Sequence, residues 1–165
     1  MSGPEWFVRN CAVTPDEGTT VVDDCPVHWL RWGPVGADPL VLVHGGGASA
    51  RWWEPLAPFL APRWQVLAVD LSGMGDSGWR PGGYRTETWA DEVLDCAATV
   101  TGGRAPVLVG HSLGGSVVAV AAASAHAQNK VNISIATGPT GGVYYPLGGG
   151  LANVLSKYEI GRAHV

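Results

Sequence analysis

Gly110-His111-Ser112-Leu113-Gly114 sets a serine between two glycines, directly after the apolar run Pro106–Val109 and before the small-residue run Gly115–Ala125. A serine on a sharp turn between a buried strand and a helix is thrust clear of both backbones, where its hydroxyl can act as a nucleophile. Glycines at 110 and 114 remove Cβ atoms that would clash in that turn, and the helix N-terminus points its N–H groups at the reaction centre. Upstream, His44-Gly45-Gly46-Gly47 follows the apolar run Leu40–Val43. Three glycines after a buried strand let a backbone N–H approach a substrate oxygen without side-chain obstruction. A donor at Gly46, paired with the N–H of Leu113, would form an oxyanion hole. Taken singly, each motif also reads as plain backbone geometry: a serine capping a helix, and a turn needing glycine for positive φ. Together, in strand–turn–helix context, they favour nucleophilic chemistry at Ser112.

The elements that must position these residues follow from periodicity. Leu40–Val43, Trp64–Leu71 and Pro106–Val109 are apolar runs, the second interrupted by Gln65 and Asp70, as parallel strands buried on both faces require. Thr86–Val100 predicts a helix with Trp89, Val93, Ala97 and Val100 on one face. Arg51–Leu60 predicts a short helix carrying Trp52 and Trp53 near the glycine loop, where tryptophans more often form core or pocket wall than ligand contacts. Trp6–Val13 and Thr19–Trp32 predict an antiparallel opening hairpin, with turn chemistry at Pro15–Gly18.

Leu40–Gly47, Trp52-Trp53, Val66–Ser77 (VLAVDLSGMGDS) and Val107–Gly115 (VLVGHSLGG), taken in that order and spacing, resemble the first half of an α/β-hydrolase over roughly residues 20–125. The resemblance implies an α/β fold, a mostly parallel sheet flanked by helices. It implies Ser112 as nucleophile, with Gly46 and Leu113 as backbone oxyanion donors. A serine at 112 separates the chain from the family's dehalogenase and epoxide-hydrolase branches, which carry aspartate there. Esterases, lipases, C–C bond hydrolases and cofactor-free perhydrolases stay open, each acting on a small molecule such as an ester, with no cofactor. In this family the segment like Asp70–Ser77 is a structural turn, so Asp70 and Asp76 are not implied as triad members. A rival reading of Gly73-Met74-Gly75-Asp76-Ser77-Gly78 as a dinucleotide fingerprint requires a helix at the third glycine. Trp79-Arg80-Pro81-Gly82-Gly83 reads as loop instead.

The triad of this fold runs Ser, then Asp or Glu, then His along the chain. After Ser112 the sequence holds one acid, Glu159, and two histidines, His126 and His164. His126 falls about four turns along the following helix, roughly 20 Å from the hydroxyl. His111 reads as a packed neighbour facing the other side of the turn. Without a base a serine hydroxyl is a poor nucleophile at neutral pH. The expectation is an incomplete hydrolase fold that stops after the nucleophile helix, marginal in stability and inactive as it stands.

Composition changes near residue 128. Residues 1–127 hold seven arginines and all eight tryptophans but no lysine or isoleucine, as a G+C-rich gene encodes. Residues 128–165 hold Lys130, Lys157, Ile133, Ile135, Ile160, three asparagines and no tryptophan. The expected organisation is a partial hydrolase domain at 1–127 and an unrelated tail at 128–165, joined somewhere within Gly115–Gln128. In the tail, Lys130–Tyr158 resembles the start of a mature periplasmic solute-binding protein of the TAXI family of TRAP transporters. Val131–Ala136 reads as a strand, Thr137–Gly142 as a turn and Leu147–Tyr158 as a helix. Val117–Ala127 resembles a signal-peptide apolar region and cleavage site, and serves equally as the nucleophile helix. Glu159–Val165 resembles a translated sequencing-library adapter, which implies a chimeric translation. Three functions follow: a serine-hydrolase fragment, a transporter solute receptor, and a remnant without activity.

The formal net charge of −4, with no basic stripe, excludes a nucleic-acid footprint. Cys11, Cys25 and Cys96 form an odd set without C-x-x-C, pointing to neither a disulfide framework nor a metal site. The uncharged stretch Ala105–Asn129 reads as strand plus nucleophile helix rather than a membrane span, because of its glycines, serines and histidines. With a polar start around Pro4, Glu5 and Arg9, the hydrolase part is expected in the cytoplasm, without a membrane partner. The uncovered edge of the parallel sheet invites Val131–Ile135 to add as a strand, either beside Pro106–Val109 or at a free edge.

Overall fold

The computed structural model describes residues 3–125, 133–136 and 163–164. Helix α1 (Glu5–Cys11) precedes β1 (Asp16–Val22) and β2 (Cys25–Trp32), and β3 (Pro39–Val43) follows. A 3₁₀ turn (Ala50–Trp53) and α2 (Ala57–Leu60) lead to β4 (Gln65–Val69) and α3 (Thr86–Thr101). Then come β5 (Val107–His111), α4 (Leu113–Ala125), β6 (Ile133–Ala136) and β7 (Ala163–His164). Among the described residues these strands form one sheet in the order β1-β2-β4-β3-β5-β6-β7. The β1–β2 and β2–β4 pairs are antiparallel, and every pair from β4 through β3 and β5 to β7 is parallel.

Burial explains the central strands. All five residues of β3 and all five of β4 are buried, so each strand is covered on both faces. Val41, Val43, Leu67 and Val69 face α3 and α4, meeting Val93, Ala97, Val117 and Val118. The alternate residues Leu40, Leu42, Val66 and Ala68 face Ala50, Trp53 and Ala57. On α3, Val93 and Ala97 are buried, with Trp89 and Val100 packed beside them, as the helical spacing requires. The thiol of Cys96, buried in the same layer, is pushed up to about 12 and behaves as a small hydrophobe.

Two expectations need correction. The hairpin lies at Asp16–Trp32 rather than Trp6–Trp32, turning through Asp23 and Asp24, which both adopt positive φ between the paired Val22 and Cys25. Two left-handed residues give a tight two-residue hairpin loop, which aspartate tolerates. Trp6–Val13 is mostly helix instead: Pro4 precedes its first turn, and Asn10 Nδ2 donates to the Pro55 carbonyl at 2.8 Å, docking α1. Arg51–Leu60 is a 3₁₀ turn and a separate short helix rather than one element. The tail strand takes the first of the two expected places, but over Ile133–Ala136: it adds in parallel beside β5, with Leu108 opposite Ile133. His126 and the segments Thr137–Gly142 and Leu147–Tyr158 lie outside the described residues.

The loop between β4 and α3 is anchored by a buried ion pair. Arg80 Nε donates to Glu92 Oε1 at 2.7 Å, and the second guanidinium nitrogen donates to the Val22 carbonyl at 2.9 Å. Glu92 is fully buried and also accepts the Ser72 N–H at 2.9 Å. Arg80 thus joins the hairpin, the loop and α3. Removing one partner of a buried pair leaves an uncompensated charge. Arg80→Ala is expected to lose about 3 kcal/mol in urea denaturation; a loss below about 1 kcal/mol would show that this clamp is not structural.

Candidate active site

Parallel pairing fixes where the two glycine motifs meet. Val43, the last residue of β3, is in register with Gly110 on β5, so the chain leaves both strands at one end of the sheet. In open parallel sheets the C-terminal strand ends, beside the strand where connections diverge, form the ligand crevice. Here β3 has β4 on one side and β5 on the other.

Ser112 has φ +54° and is exposed, between the end of β5 and the start of α4. A non-glycine residue in this left-handed region is uncommon and persists only where its surroundings enforce it. They do so by close approach. A Cβ on Gly110 would collide with the Gly114 carbonyl, and one on Gly114 with the Val43 carbonyl and, at 2.6 Å, with His44 O. The helix therefore starts in backbone contact with the end of β3.

The glycine loop abuts this turn. A Cβ on Gly45 would lie 2.9 Å from His111 Nδ1 and 3.3 Å from Ser112 Cβ, and one on Gly46 would lie 3.6 Å from Leu113 Cδ2. The structure thus brings together Ser112, Leu113 and the Gly45–Gly46 segment. His111 is exposed, not turned away: its ring lies against Gly45 and stacks on Trp52, centroids 5.7 Å apart. Trp52 is 57% exposed and lies against His111 beside this turn, whereas Trp53 is core.

His44 is completely buried and is committed at both ring nitrogens. Its Nε2 accepts the Leu71 N–H at 3.1 Å, which assigns the proton to Nδ1, and Nδ1 donates to the Gly45 carbonyl at 2.7 Å. Burial pushes its pKa down, opposed by the Gly45 hydrogen bond and by Asp70, whose Oδ1 lies 3.9 Å from Nε2. Across the loop, the Gly47 N–H donates to Met74 Sδ at 3.3 Å. Sequence reasoning missed both contacts. The histidine before the glycines was the available signal; nothing local marks Met74.

Asp70 is spent on structure. Its carboxylate accepts the Ala50 N–H, the Asp76 N–H at 2.9 Å and His28 Nδ1 at 2.9 Å. His28, Asp70 and Asp76 place ligand-type atoms within 4.8 Å of one another. These hydrogen bonds occupy the central carboxylate, so the cluster reads as a pin beneath the loop. The segment Gly73–Gly78 closes on itself through a 2.8 Å bond from Gly73 N–H to Gly78 O, with no helix before Thr86. A pyrophosphate site of the dinucleotide type is therefore not built there. Among the described residues, no helix is long and apolar enough to cross a membrane.

Comparison with known proteins agrees with this geometry. The model of the alpha/beta hydrolase family matches residues 40–162, across the composition change near residue 128. The chain belongs to the α/β-hydrolase family. It is 32% identical over 88 residues to (E)-2-((N-methylformamido)methylene)succinate hydrolase of Acinetobacter baylyi, covering 53% of this chain and 32% of that protein. It is 38% identical over 91 residues to a soluble epoxide hydrolase of Corynebacterium sp., covering 55% and 31%. Among solved structures, a bacterial membrane phospholipase A superposes with TM-score 0.67 at 31% identity, covering 77% of this chain and 41% of that one. The matched regions span about a third of these two relatives' lengths.

The buried neutral His44 has a consequence for stability. Its folded pKa lies below its unfolded value, so the unfolded chain takes up this proton first as pH falls. The contribution is complete above the unfolded value of about 6.5 and is lost progressively as pH drops toward the depressed folded pKa. Urea denaturation between pH 7.5 and 5 should show wild type losing up to about 1.4 kcal/mol per pH unit more than His44→Asn. Asp70 and His28 stay in place in both proteins; parallel pH profiles would contradict the assignment.

Proposed function

We propose that this chain carries the nucleophile and oxyanion half of a serine hydrolase site. Ser112 is the nucleophile, and the backbone N–H groups of Gly46 and Leu113 are the donors. The observation carrying this reading is the left-handed backbone of Ser112 beside the glycine loop. Attack forms a bond from Ser112 Oγ to a substrate carbonyl carbon, while the carbonyl π pair moves onto oxygen, where the two N–H groups stabilise it. The hydroxyl proton must go to a base. His44 is committed at both nitrogens, and His28 is paired with Asp70. The sequence beyond Ser112 offers His126, His164 and Glu159, whose side chains are outside the described set. We therefore assign the nucleophile and donors to residues 1–127 and, among the described residues, no assembled general base; the remaining described histidine, His111, stacks on Trp52.

The substrate class we favour is a small ester or related carbonyl compound. The relatives' names run from a succinate-derivative hydrolase to an epoxide hydrolase. Serine rather than aspartate at 112 supports the ester side.

Fluorophosphonate labelling, followed by mass spectrometry on residue 112, tests the reading. Without additive, wild type is expected to label no faster than Ser112→Ala. Added imidazole, as a diffusible base, is expected to raise labelling at Ser112 by about 10²-fold, within the range general bases supply. Fast labelling without imidazole, abolished by Ser112→Ala, would show a base within the chain. No Ser112 labelling at any imidazole concentration would refute the nucleophile assignment.

A further inference from the structure

Two side chains outside the Ser112 turn bond the backbone of the glycine loop: His44 at the Gly45 carbonyl and Met74 at the Gly47 N–H. We propose that His44 and Met74 are positioning residues that select the Gly46 N–H as the loop's oxyanion donor. The inference rests on the serine-hydrolase reading and deepens it.

A trans peptide is planar, with its carbonyl oxygen and the following N–H on opposite sides. The Gly45 carbonyl is held toward the interior by His44 Nδ1–H at 2.7 Å and also accepts the Ala48 N–H at 3.2 Å. The Gly46 N–H, in the same peptide plane, must then point the other way, out of the interior. There, the position of a Gly46 Cβ lies 3.6 Å from Leu113, whose own N–H follows the nucleophile. The next donor along, Gly47 N–H, is taken by the Met74 thioether at 3.3 Å. Gly47 adopts φ +71°, a turn that glycine makes without strain and that directs its N–H toward Met74 rather than the crevice. Among the described residues, the Gly46 N–H has no hydrogen-bond partner.

The His44 ring cannot rotate this peptide freely, because its other nitrogen is tied to Leu71 at the end of β4. The aim of the donor is thus set by the position of β4 relative to β3, through a rigid ring. Met74 sits in the loop after β4 and packs against the core layer of α3 and α4. Both restraints come from the same neighbouring strand and its loop, one beneath the glycine loop and one across its rim.

Isosteric variants separate these contacts. In His44→Asn the side-chain amide nitrogen stands near Nδ1 and can still donate to the Gly45 carbonyl. In His44→Gln the amide reaches the Nε2 position and keeps only the Leu71 contact. Met74→Leu removes the sulfur acceptor, and Met74→Gln restores an acceptor. Imidazole-dependent Ser112 labelling in the full chain is expected to fall about 10-fold or more in His44→Gln and to recover to within about 3-fold of wild type in His44→Asn, the span of one aimed hydrogen bond. Met74→Leu should slow labelling about 3-fold, with recovery in Met74→Gln. In ¹H–¹⁵N spectra of the same proteins, the Gly46 and Gly47 amide resonances should move in His44→Gln and Met74→Leu and return in the restoring variants.

Equal labelling and equal spectra for His44→Asn and His44→Gln would overturn the proposal, leaving His44 a mere core residue. Should wild type fail to label with imidazole while the amide shifts follow the expected pattern, the aiming of the loop stands and the nucleophile reading falls. A variant with lost amide dispersion is unfolded. The Met74 pair, on a half-buried loop residue, then decides: shifts unmoved by Met74→Leu overturn the proposal.

Discussion

A left-handed backbone at Ser112, enforced where α4 starts in contact with the end of β3, is the constraint on which the crevice depends. Strand β5 runs beside β3 and must turn at once into a helix that returns over the same sheet. Only a tight turn with glycine at 110 and 114 lets the two backbones approach so closely. That turn leaves the side chain at 112 exposed at the sheet's C-terminal end, where the β3 glycine loop arrives by register. The geometry is therefore a consequence of sheet packing and not of local preference, since serine alone disfavours this conformation.

Polar groups hold the surroundings in place around that constraint. Asp70, at the end of β4, is buried and accepts from the 3₁₀ turn, from its own loop and from His28 on β2. Ser77 Oγ bridges the same region, donating to the Asp70 carbonyl at 2.7 Å and accepting the His28 N–H at 2.7 Å. Arg80 and Glu92 repeat the device farther along the loop. Buried charges that are fully hydrogen-bonded resist displacement, because losing one partner exposes the desolvation cost of the other. Two loops without regular structure, 70–85 and 44–49, are thereby kept rigid against each other. On the proposed reading, backbone donors at Gly46 and Leu113 require that rigidity, since a donor misaimed by an ångström loses much of its effect.

The parallel core is legible in the sequence because strands buried on both faces leave apolar runs; Leu40–Val43 falls on β3, and Trp64–Leu71 contains β4 with two residues too many at its end and one at its start. The apolar run ends at Val109, but β5 continues through Gly110 and His111, because a glycine in a strand reads as a break until the partner strand is known. The hairpin differs from its expected position for a related reason. Turn residues abound at Pro15–Gly18, whereas the true turn uses Asp23 and Asp24, whose positive φ no composition rule singles out. In the crevice, motif spacing sufficed to bring Ser112, Leu113 and Gly46 together. It could not show the His44 tautomer, the Met74 contact or the Trp52–His111 stack, because each is fixed by segments joined only through the sheet.

Comparing Ser112→Gly with Ser112→Ala tests the central constraint directly, by equilibrium urea denaturation at pH 7.5. Elsewhere in a folded chain, alanine is the more stabilising choice, because glycine loses more backbone entropy on folding. At a left-handed position the order reverses, since glycine adopts positive φ without strain. The account predicts Ser112→Gly more stable than Ser112→Ala by about 1 kcal/mol. Alanine equal to or above glycine would mean that residue 112 is not held in a left-handed turn, and the elbow on which the site is built would not exist.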